Sequence, residues 1–138
     1  LIGIDRKEED NLPTHAEYEY LPVDLTDDAD TAKVLAQVRS RTGGRLASVV
    51  HLAAYYDFAG EPSPLYETLT VQGTRRLLRE LKTFERVEQF VFSSSLLVMK
   101  PNNAPGKVDE NSPVAGSWDY PESKLKAEEA IRTERGDI

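Results

Sequence analysis

The chain lacks cysteine altogether and has only one tryptophan, one methionine and two histidines in 138 residues. Without cysteine there can be no disulfide, no thiolate nucleophile and no zinc site with cysteine ligands. The two histidines, His15 and His51, lie far apart in sequence, so we expect no metal site. A chain without cysteine also fits the cytoplasm, where disulfides are rare, and we predict that location.

Long apolar runs and an excess of basic residues are missing as well. No apolar stretch approaches the roughly 18–20 residues of a membrane-spanning helix, so we expect no membrane span and no secretion signal. The 17 basic residues face 24 acidic ones, which gives a formal charge of −7. Nucleic acids and anionic membranes attract clustered lysine and arginine, so we expect neither as a partner.

The residues that are present suffice for one folded domain. The chain length is typical of a single domain, and 39% of the residues are hydrophobic, which is enough for a packed core. We therefore predict one domain over residues 1–138.

Short apolar runs alternate with segments of helical periodicity along the chain. The runs predict strands over residues 1–5, 18–23, 47–52 and 89–95. Strands that alternate with helices predict an α/β fold with a doubly wound parallel sheet. The strand interiors are continuously apolar, which predicts that helices cover the sheet on both faces.

Three helices are predicted between and after these strands. Gly43-Gly44 ends the first helix, because glycine readily adopts the left-handed conformation that stops a helix. Gly73 lies on the apolar face of the second helix and would let that helix approach the sheet closely. The predicted starts are Asp27 or Asp28, Ser63-Pro64 and a position near Asp119.

Two groups of polar residues in the last third of the chain have a chemical pattern. Tyr120 and Lys124 are four residues apart, so on a helix they lie on the same face. An ammonium one turn away stabilises a phenolate, which lets a tyrosine exchange protons near neutral pH. Ser93, Ser94 and Ser95 are the last residues of the strand predicted over residues 89–95, at the sheet edge where ligands of doubly wound sheets bind.

The serine triplet, the Tyr-x-x-x-Lys pattern and the separation of 25 positions from Ser95 to Tyr120 resemble the extended short-chain dehydrogenase/reductase family, the NAD-dependent epimerases and dehydratases. The resemblance implies a Rossmann-like fold and hydride-transfer chemistry on a small-molecule substrate. It implies that Ser95, Tyr120 and Lys124 are catalytic, that Lys124 also holds the nicotinamide ribose, and that Ser93 lines the nicotinamide. We expect Ser94 to pack or to bond to backbone, and His51 to be a packed residue.

The same resemblance implies further residues for the cofactor. Asp5, at the end of the first strand, would accept hydrogen bonds from the adenosine ribose and favour NAD. Arg6 could pair with a phosphate, so NADP stays possible. The remaining cofactor residues that the resemblance implies are Asp24 and Leu25 against the adenine, Leu52, Ala53 and Ala54 under the ribose and diphosphate, and Thr70 where the family has asparagine.

The family's pyrophosphate-binding loop, Gly-x-x-Gly-x-x-Gly, occurs nowhere in the sequence. That loop follows the family's first strand, whereas this chain matches the pattern from the second strand onward. The family's substrate-binding part after the Tyr-Lys helix has no counterpart either. We therefore expect a fragment of a longer enzyme that neither binds NAD tightly nor turns over by itself. Without its first strand the sheet would have a gap in its middle, so either an unexpected pairing or swap repairs it, or segments of the molecule lie outside this chain.

The reaction itself stays open between alternatives. Leu96-Leu97 replace the Asp-Glu pair typical of 4,6-dehydratases, which disfavours dehydration. A nucleotide-sugar epimerase or oxidoreductase is the favoured hypothesis, and a reductase of steroid- or flavonoid-like ketones is the alternative, because residues 55–58 are rich in aromatics. A non-catalytic dinucleotide sensor is a third. The resemblance also implies a homodimer formed through residues 64–83 and 119–135.

Overall fold

The computed structural model describes residues 1–6, 17–100 and 108–138. His15 and most of the predicted polar connection after the first strand lie outside the described residues, as does part of the loop predicted before the last helix. The described elements, in chain order, are β1 (Ile2–Asp5), β2 (Glu19–Pro22), α1 (Asp28–Thr42), β3 (Arg45–Leu46), β4 (Val49–His51), a π-helical segment (Tyr66–Val71), α2 (Gln72–Leu81), β5 (Arg86–Val87), β6 (Phe90–Phe92), a 3-10 turn (Leu96–Val98) and α3 (Asp119–Glu134).

Strands pair in parallel, in three separate two-stranded units. β1 pairs with β2, with Ile2 opposite Glu19, and β4 pairs with β6, with Val49 opposite Phe90. The third pair, β3 with β5, was not predicted, because strands of two residues leave no periodic signal in the sequence. No ladder joins the first pair to the second within the described residues. This confirms the predicted interruption and the class, a partial Rossmann-like α/β fold.

Two predictions about the strands are wrong. The run predicted as a strand from residue 89 to residue 95 is a strand only to Phe92, so the serine triplet lies beyond it. β4 and β6 are also not covered on both faces, since Val50 is 59% exposed and its register partner Val91 is 40% exposed. A continuous apolar sequence shows that a strand can be covered, but the cover depends on neighbouring elements, and the described residues leave Val50 and Val91 exposed.

The sequence signals for helix starts and ends predicted the structure more accurately than the strand patterns did. Asp27 is the N-cap of α1, because its side chain accepts a hydrogen bond from the Asp30 amide at 2.7 Å. Gly43 ends α1 in the left-handed conformation, with φ 62°. Ser63 Oγ accepts from the Leu65 amide at 3.3 Å, as expected of a residue that starts a helix. The second helix, however, is not α-helical from its start, since residues 66–71 form a π-helical segment.

The hydrophobic core joins α1, β2 and α2, with side chains of β1, β4 and β6 packed against it. Gly73 sits where α2 meets the segment after β2. A Cβ at this position would lie 3.3 Å from the Leu25 carbonyl oxygen, which is tighter than normal contact. The close approach predicted for Gly73 is therefore present, although its neighbour is a connection and not a strand. Among the described residues, no helix is long and apolar enough to cross a membrane.

Candidate functional site

Helix α3 carries Tyr120 and Lys124 one turn apart on its inner side. Lys124 is 2% exposed, and its Nζ donates a hydrogen bond to the Ser93 carbonyl oxygen at 2.8 Å. The same nitrogen lies 4.8 Å from the centre of the Phe92 ring and 5.8 Å from that of Tyr120. Ammonium groups are attracted to the faces of such rings. Lys124 therefore connects the end of β6 to the tyrosine predicted to be catalytic.

The buried position of Lys124 and the nearby Glu128 carboxylate shift the pKa of Lys124. Burial lowers the pKa of Lys124, because a charged ammonium loses hydration, and the carboxylate of Glu128 opposes that effect. Burial also lowers the pKa of His51 to about 4, with the Lys124 charge acting in the same direction. His51 is thus neutral at physiological pH and lies within the electrostatic range of Lys124.

The three serines occupy three different environments. The Ser93 side chain is exposed, while its carbonyl receives the Lys124 ammonium. Ser95 caps the 3-10 turn, with its hydroxyl accepting from the Leu97 amide at 3.2 Å. Ser94 donates to a side chain, Glu128 Oε1, so the prediction that it would pack or bond to backbone is wrong. Glu128 lies 34 residues further along the chain, and sequence spacing gave no sign of that partner.

Five aromatic side chains form a group of six with Tyr120. Tyr56 meets the Tyr120 ring edge-on at 4.7 Å between centroids, and Trp118 lies 5.6 Å from it. Phe58 is 95% exposed and touches the group through Tyr56, at 4.9 Å. The six, which we call the aromatic cluster, are Tyr55, Tyr56, Phe58, Tyr66, Trp118 and Tyr120. The surface beside Tyr120 is therefore largely aromatic.

Within the aromatic cluster, Tyr66 is buried, and its hydroxyl has no hydrogen-bond partner among the described residues. Burial raises the pKa of Tyr66, because the phenolate would lose hydration, so this hydroxyl stays protonated at neutral pH. The sequence did not indicate that Trp118 and Tyr66 are site residues, because neither belongs to a motif with fixed spacing.

A chain of buried polar groups lies behind the cluster. His51 Nε2 is 2.9 Å from Thr74 Oγ1, which donates to the Thr70 carbonyl at 2.6 Å. The Thr70 hydroxyl in turn accepts from the Tyr55 amide at 3.0 Å. Thr70 is fully buried, so it holds the backbone that begins the aromatic segment. The expected packing of His51 is confirmed, since the ring is 4% exposed and bonded.

The residues expected to meet the adenosine lie at the ends of β1 and β2. Asp5 and Arg6 are exposed, and the Asp5 carboxylate accepts from the Arg6 amide at 2.6 Å. Asp24 Oδ1 accepts from both the amide and the hydroxyl of Thr26, hydrogen bonds that lower the pKa of Asp24. Leu25 is buried in the core. Arg6 and Asp24 line one cleft of about 440 Å³ between β2 and α1.

The predicted segment under the ribose and diphosphate directly follows β4. Leu52 is 68% exposed, and Ala53 and Ala54 are half-buried, so small side chains and open backbone lie at this edge. The structure thus brings Lys124 next to Tyr120 and the Ser93 carbonyl, and it joins Ser94 to Glu128 of the same helix. Asp5, Arg6 and Asp24 lie at the ends of β1 and β2. Among the described residues, no cluster of three or more metal-ligating side chains is present.

Comparison with protein families gives a match over residues 1–137 to the NAD dependent epimerase/dehydratase family. The chain belongs to this family. A comparison with curated proteins gave no match.

Solved structures agree with the family assignment. A Burkholderia cenocepacia protein described as an epimerase is 31% identical, with a TM-score of 0.76, over 96% of this chain and 41% of its own. A short-chain dehydrogenase/reductase superfamily protein from Agrobacterium tumefaciens, with bound NAD, is 26% identical, with a TM-score of 0.69, over 99% and 38%. UDP-glucuronic acid 4-epimerase from Bacillus cereus, with UDP-glucuronic acid and NAD, shares the fold at 18% identity and a TM-score of 0.74, over 99% and 44%. The chain therefore spans about two fifths of the length of these relatives.

Proposed function

We propose that this chain provides the acid–base half of an NAD-dependent epimerase or oxidoreductase that acts on a nucleotide sugar. The observation that supports this most is the position of Lys124, whose ammonium lies between the Ser93 carbonyl and the Tyr120 ring. The family is NAD-dependent, and relatives of the same fold hold NAD together with UDP-glucuronic acid, or with UDP. Enzyme activity is thus the reading that both the family and the contacts favour.

The residues present fit the nicotinamide end of NAD. Lys124 would hold the nicotinamide ribose, with Ser93 beside the ring, and Asp5 would accept from the adenosine ribose. Leu25, Leu52, Ala53 and Ala54 would lie along the cofactor, and Arg6 would sit where a 2′-phosphate binds in NADP. Asp24 would contact the adenine, and Thr70 would hold the backbone at Tyr55, directly after Ala54. When bound, NAD accepts a hydride from the carbon that bears the reacting oxygen and can return it.

The chain's own residues handle the proton. Tyr120 takes the proton from a substrate hydroxyl, or returns it to a carbonyl, and the Lys124 ammonium lies 5.8 Å from the centre of its ring. Ser95 is the acceptor in its bond with Leu97, so its own O–H can donate to the reacting oxygen. Epimerisation needs the same proton transfer twice, once in each direction. One tyrosine can therefore serve both steps.

The aromatic cluster supports a second candidate, a reductase of hydrophobic ketones. The exposed Phe58 and the half-exposed Tyr56 present apolar surface beside Tyr120. Burial of such surface against an apolar ring system is favourable, at about 25 cal/mol per Å². A sugar ring can pack on aromatic side chains as well, so a substrate panel has to separate the two candidates.

The test uses the longest natural polypeptide that carries these 138 residues. NADH fluorescence reports turnover on UDP-, GDP- and dTDP-sugars and on hydrophobic ketones, and product analysis reports epimerisation. Tyr120→Phe is expected to reduce turnover by about 10²- to 10⁴-fold, which is the usual contribution of general acid–base catalysis. Tyr18→Phe removes a hydroxyl beside Gly3 in β1, away from the site, and is the matched control.

Three results would change the proposal. Full turnover by Tyr120→Phe would contradict the catalytic assignment. Turnover only on ketones would replace the nucleotide sugar with the second candidate. NAD binding without turnover of any substrate would point to a dinucleotide sensor.

We also propose that the complete protein is a homodimer through residues 64–83 and 119–135. α2 and α3 pack side by side, with an ion pair of 2.9 Å between Arg75 and Glu134. Two such helix pairs could form a four-helix contact. Sedimentation velocity should give the mass of a dimer, and a monomer at all concentrations would contradict this.

A further inference from the structure

Glu128 lies one turn beyond Lys124 on α3 and has contacts that its place in the sequence did not suggest. Its Oε1 accepts from the Ser94 hydroxyl, and its Oε2 receives Arg132 at 3.4 Å. Its side chain is only 25% exposed, whereas the neighbouring Glu129 is 61% exposed. Glu128 is therefore turned toward the serine triplet and away from solvent.

The bond from Ser94 to Glu128 holds the segment after β6 against α3. Ser94 stands between Ser93, whose carbonyl receives Lys124, and Ser95, which is proposed to orient the substrate. An anchor at the middle residue fixes the positions of both neighbours. Hydrogen bonds to a charged carboxylate are stronger than those between neutral groups, so this anchor is a firm one.

The charge of Glu128 also acts on Lys124. The ammonium is 2% exposed and has one carbonyl as its hydrogen-bond partner, so burial favours its neutral form. Glu128 is the group that opposes this effect. The other groups that face Lys124 are His51 on β4, which is neutral near pH 7, and Tyr120 on α3. Arg132 shares the Glu128 carboxylate and reduces its effect.

We propose that Glu128 is a positioning residue that fixes the serine triplet through Ser94 and keeps Lys124 charged. The role rests on the proposed function, because a charged Lys124 matters only if Tyr120 exchanges a proton. Glu128 itself touches neither substrate nor cofactor in this scheme. It acts through two neighbours, by a hydrogen bond to one and by its charge on the other.

The experiment separates the bond from the charge. Glu128→Gln keeps an oxygen that can accept from Ser94 but removes the negative charge. Ser94→Ala removes the hydrogen bond and keeps the charge. Glu129→Gln removes the same charge from the exposed neighbouring residue and is the matched control. The first readout is the titration of Lys124, which is monitored by NMR of protein labelled at the lysine Cε atoms. The Lys124 signal is the one that is missing from the spectrum of Lys124→Met. The second readout is the pH profile of turnover.

We expect Glu128→Gln to lower the midpoint of the Lys124 titration by about half a pH unit, and to move the alkaline limb of turnover with it. At a fixed pH on that limb, turnover falls about threefold. Ser94→Ala should leave the midpoint unchanged and reduce turnover about tenfold at every pH. Glu129→Gln should change neither.

Equal midpoints in Glu128→Gln and Glu129→Gln would overturn the charge role. Parental turnover in Ser94→Ala would overturn the anchoring role. The NMR midpoint does not depend on catalysis, so it still decides on the charge of Glu128 if Tyr120→Phe keeps full turnover and the proposed function fails. Thermal unfolding of each variant shows whether the fold is intact.

Discussion

The two ends of the expected cofactor site differ in how the chain holds them. Around Lys124, side chains from α3 contact the segment after β6, and the ammonium is almost fully buried. Around Asp5 and Arg6, the side chains are exposed, and the carboxylate bonds only to its own neighbour's amide among the described contacts. No described ladder joins the two regions. The Lys124 region needs only α3 and the segment after β6 to meet, whereas a site that spans the sheet needs the sheet to be continuous.

The largest effect is expected at Lys124. Lys124→Met should reduce turnover of the complete polypeptide by about 100-fold or more, because the charge beside Tyr120 is lost. Stability should stay equal or rise, because an apolar side chain of similar size suits a buried position better than an ammonium. Turnover assays and urea unfolding measure the two effects.

Arg6→Met is the matching change in the exposed region. It should leave turnover with NAD nearly unchanged and alter only the preference between NAD and NADP. If Arg6→Met reduced turnover as much as Lys124→Met does, the contrast between the two regions would be wrong.

Leu81 tests the core that joins the two regions. Leu81 is 1% exposed on α2 and belongs to the cluster formed with α1 and β2. Leu81→Ala should lower the free energy of unfolding by about 2–5 kcal/mol, through lost burial and the cavity left behind. Leu96→Ala, at a residue 80% exposed, should change it by less than about 0.5 kcal/mol. Urea unfolding of both variants provides the test, and equal losses would contradict the packing.

The pH dependence of stability reports on His51. Its folded pKa of about 4 lies below the ordinary 6.5, so between these values the unfolded chain binds a proton that the folded chain does not. Stability should therefore fall as pH drops from about 6.5 to 4, by about 3 kcal/mol. His51→Gln should remove this slope. The lowered pKa of Asp24 also makes stability fall with falling pH, but only below about pH 4, so its contribution can be separated from that of His51.

A smaller loss of stability is expected at the N-cap of α1. Asp27→Ala should lower the free energy of unfolding by about 1 kcal/mol, because the amide of Asp30 loses its capping partner. Asp27→Asn should retain most of the stability, since asparagine caps equally well. Circular dichroism during urea unfolding measures both. A loss equal in the two variants would show that charge matters here and not the cap.

Sequence alone was sufficient for features set within a few residues. The cap at Asp27 and the stop at Gly43 follow from local backbone chemistry. Gly73 indicated a close approach, but the sequence did not show that its neighbour is the Leu25 carbonyl. The Tyr120 and Lys124 pair follows from helical spacing.

The features that sequence missed depend on residues far apart in the chain. Ser94 finds Glu128 across 34 positions, and Trp118 meets Tyr56 only after folding. The π-helical segment and the paired β3 and β5 leave no periodic pattern either. The exposure of Val50 and Val91 depends on which elements pack against β4 and β6, and apolar composition does not show that.

The most direct test of the account is a crystal structure of the longest natural polypeptide that carries this chain, grown with NAD. We predict that Lys124 Nζ lies about 3 Å from a hydroxyl of the nicotinamide ribose, which is hydrogen-bond distance. The hydroxyls of Tyr120 and Ser95 should face the same side of the nicotinamide ring. A complex in which those two hydroxyls lie on opposite sides of the ring, with the Lys124 amine directed away from the ribose, would contradict the account.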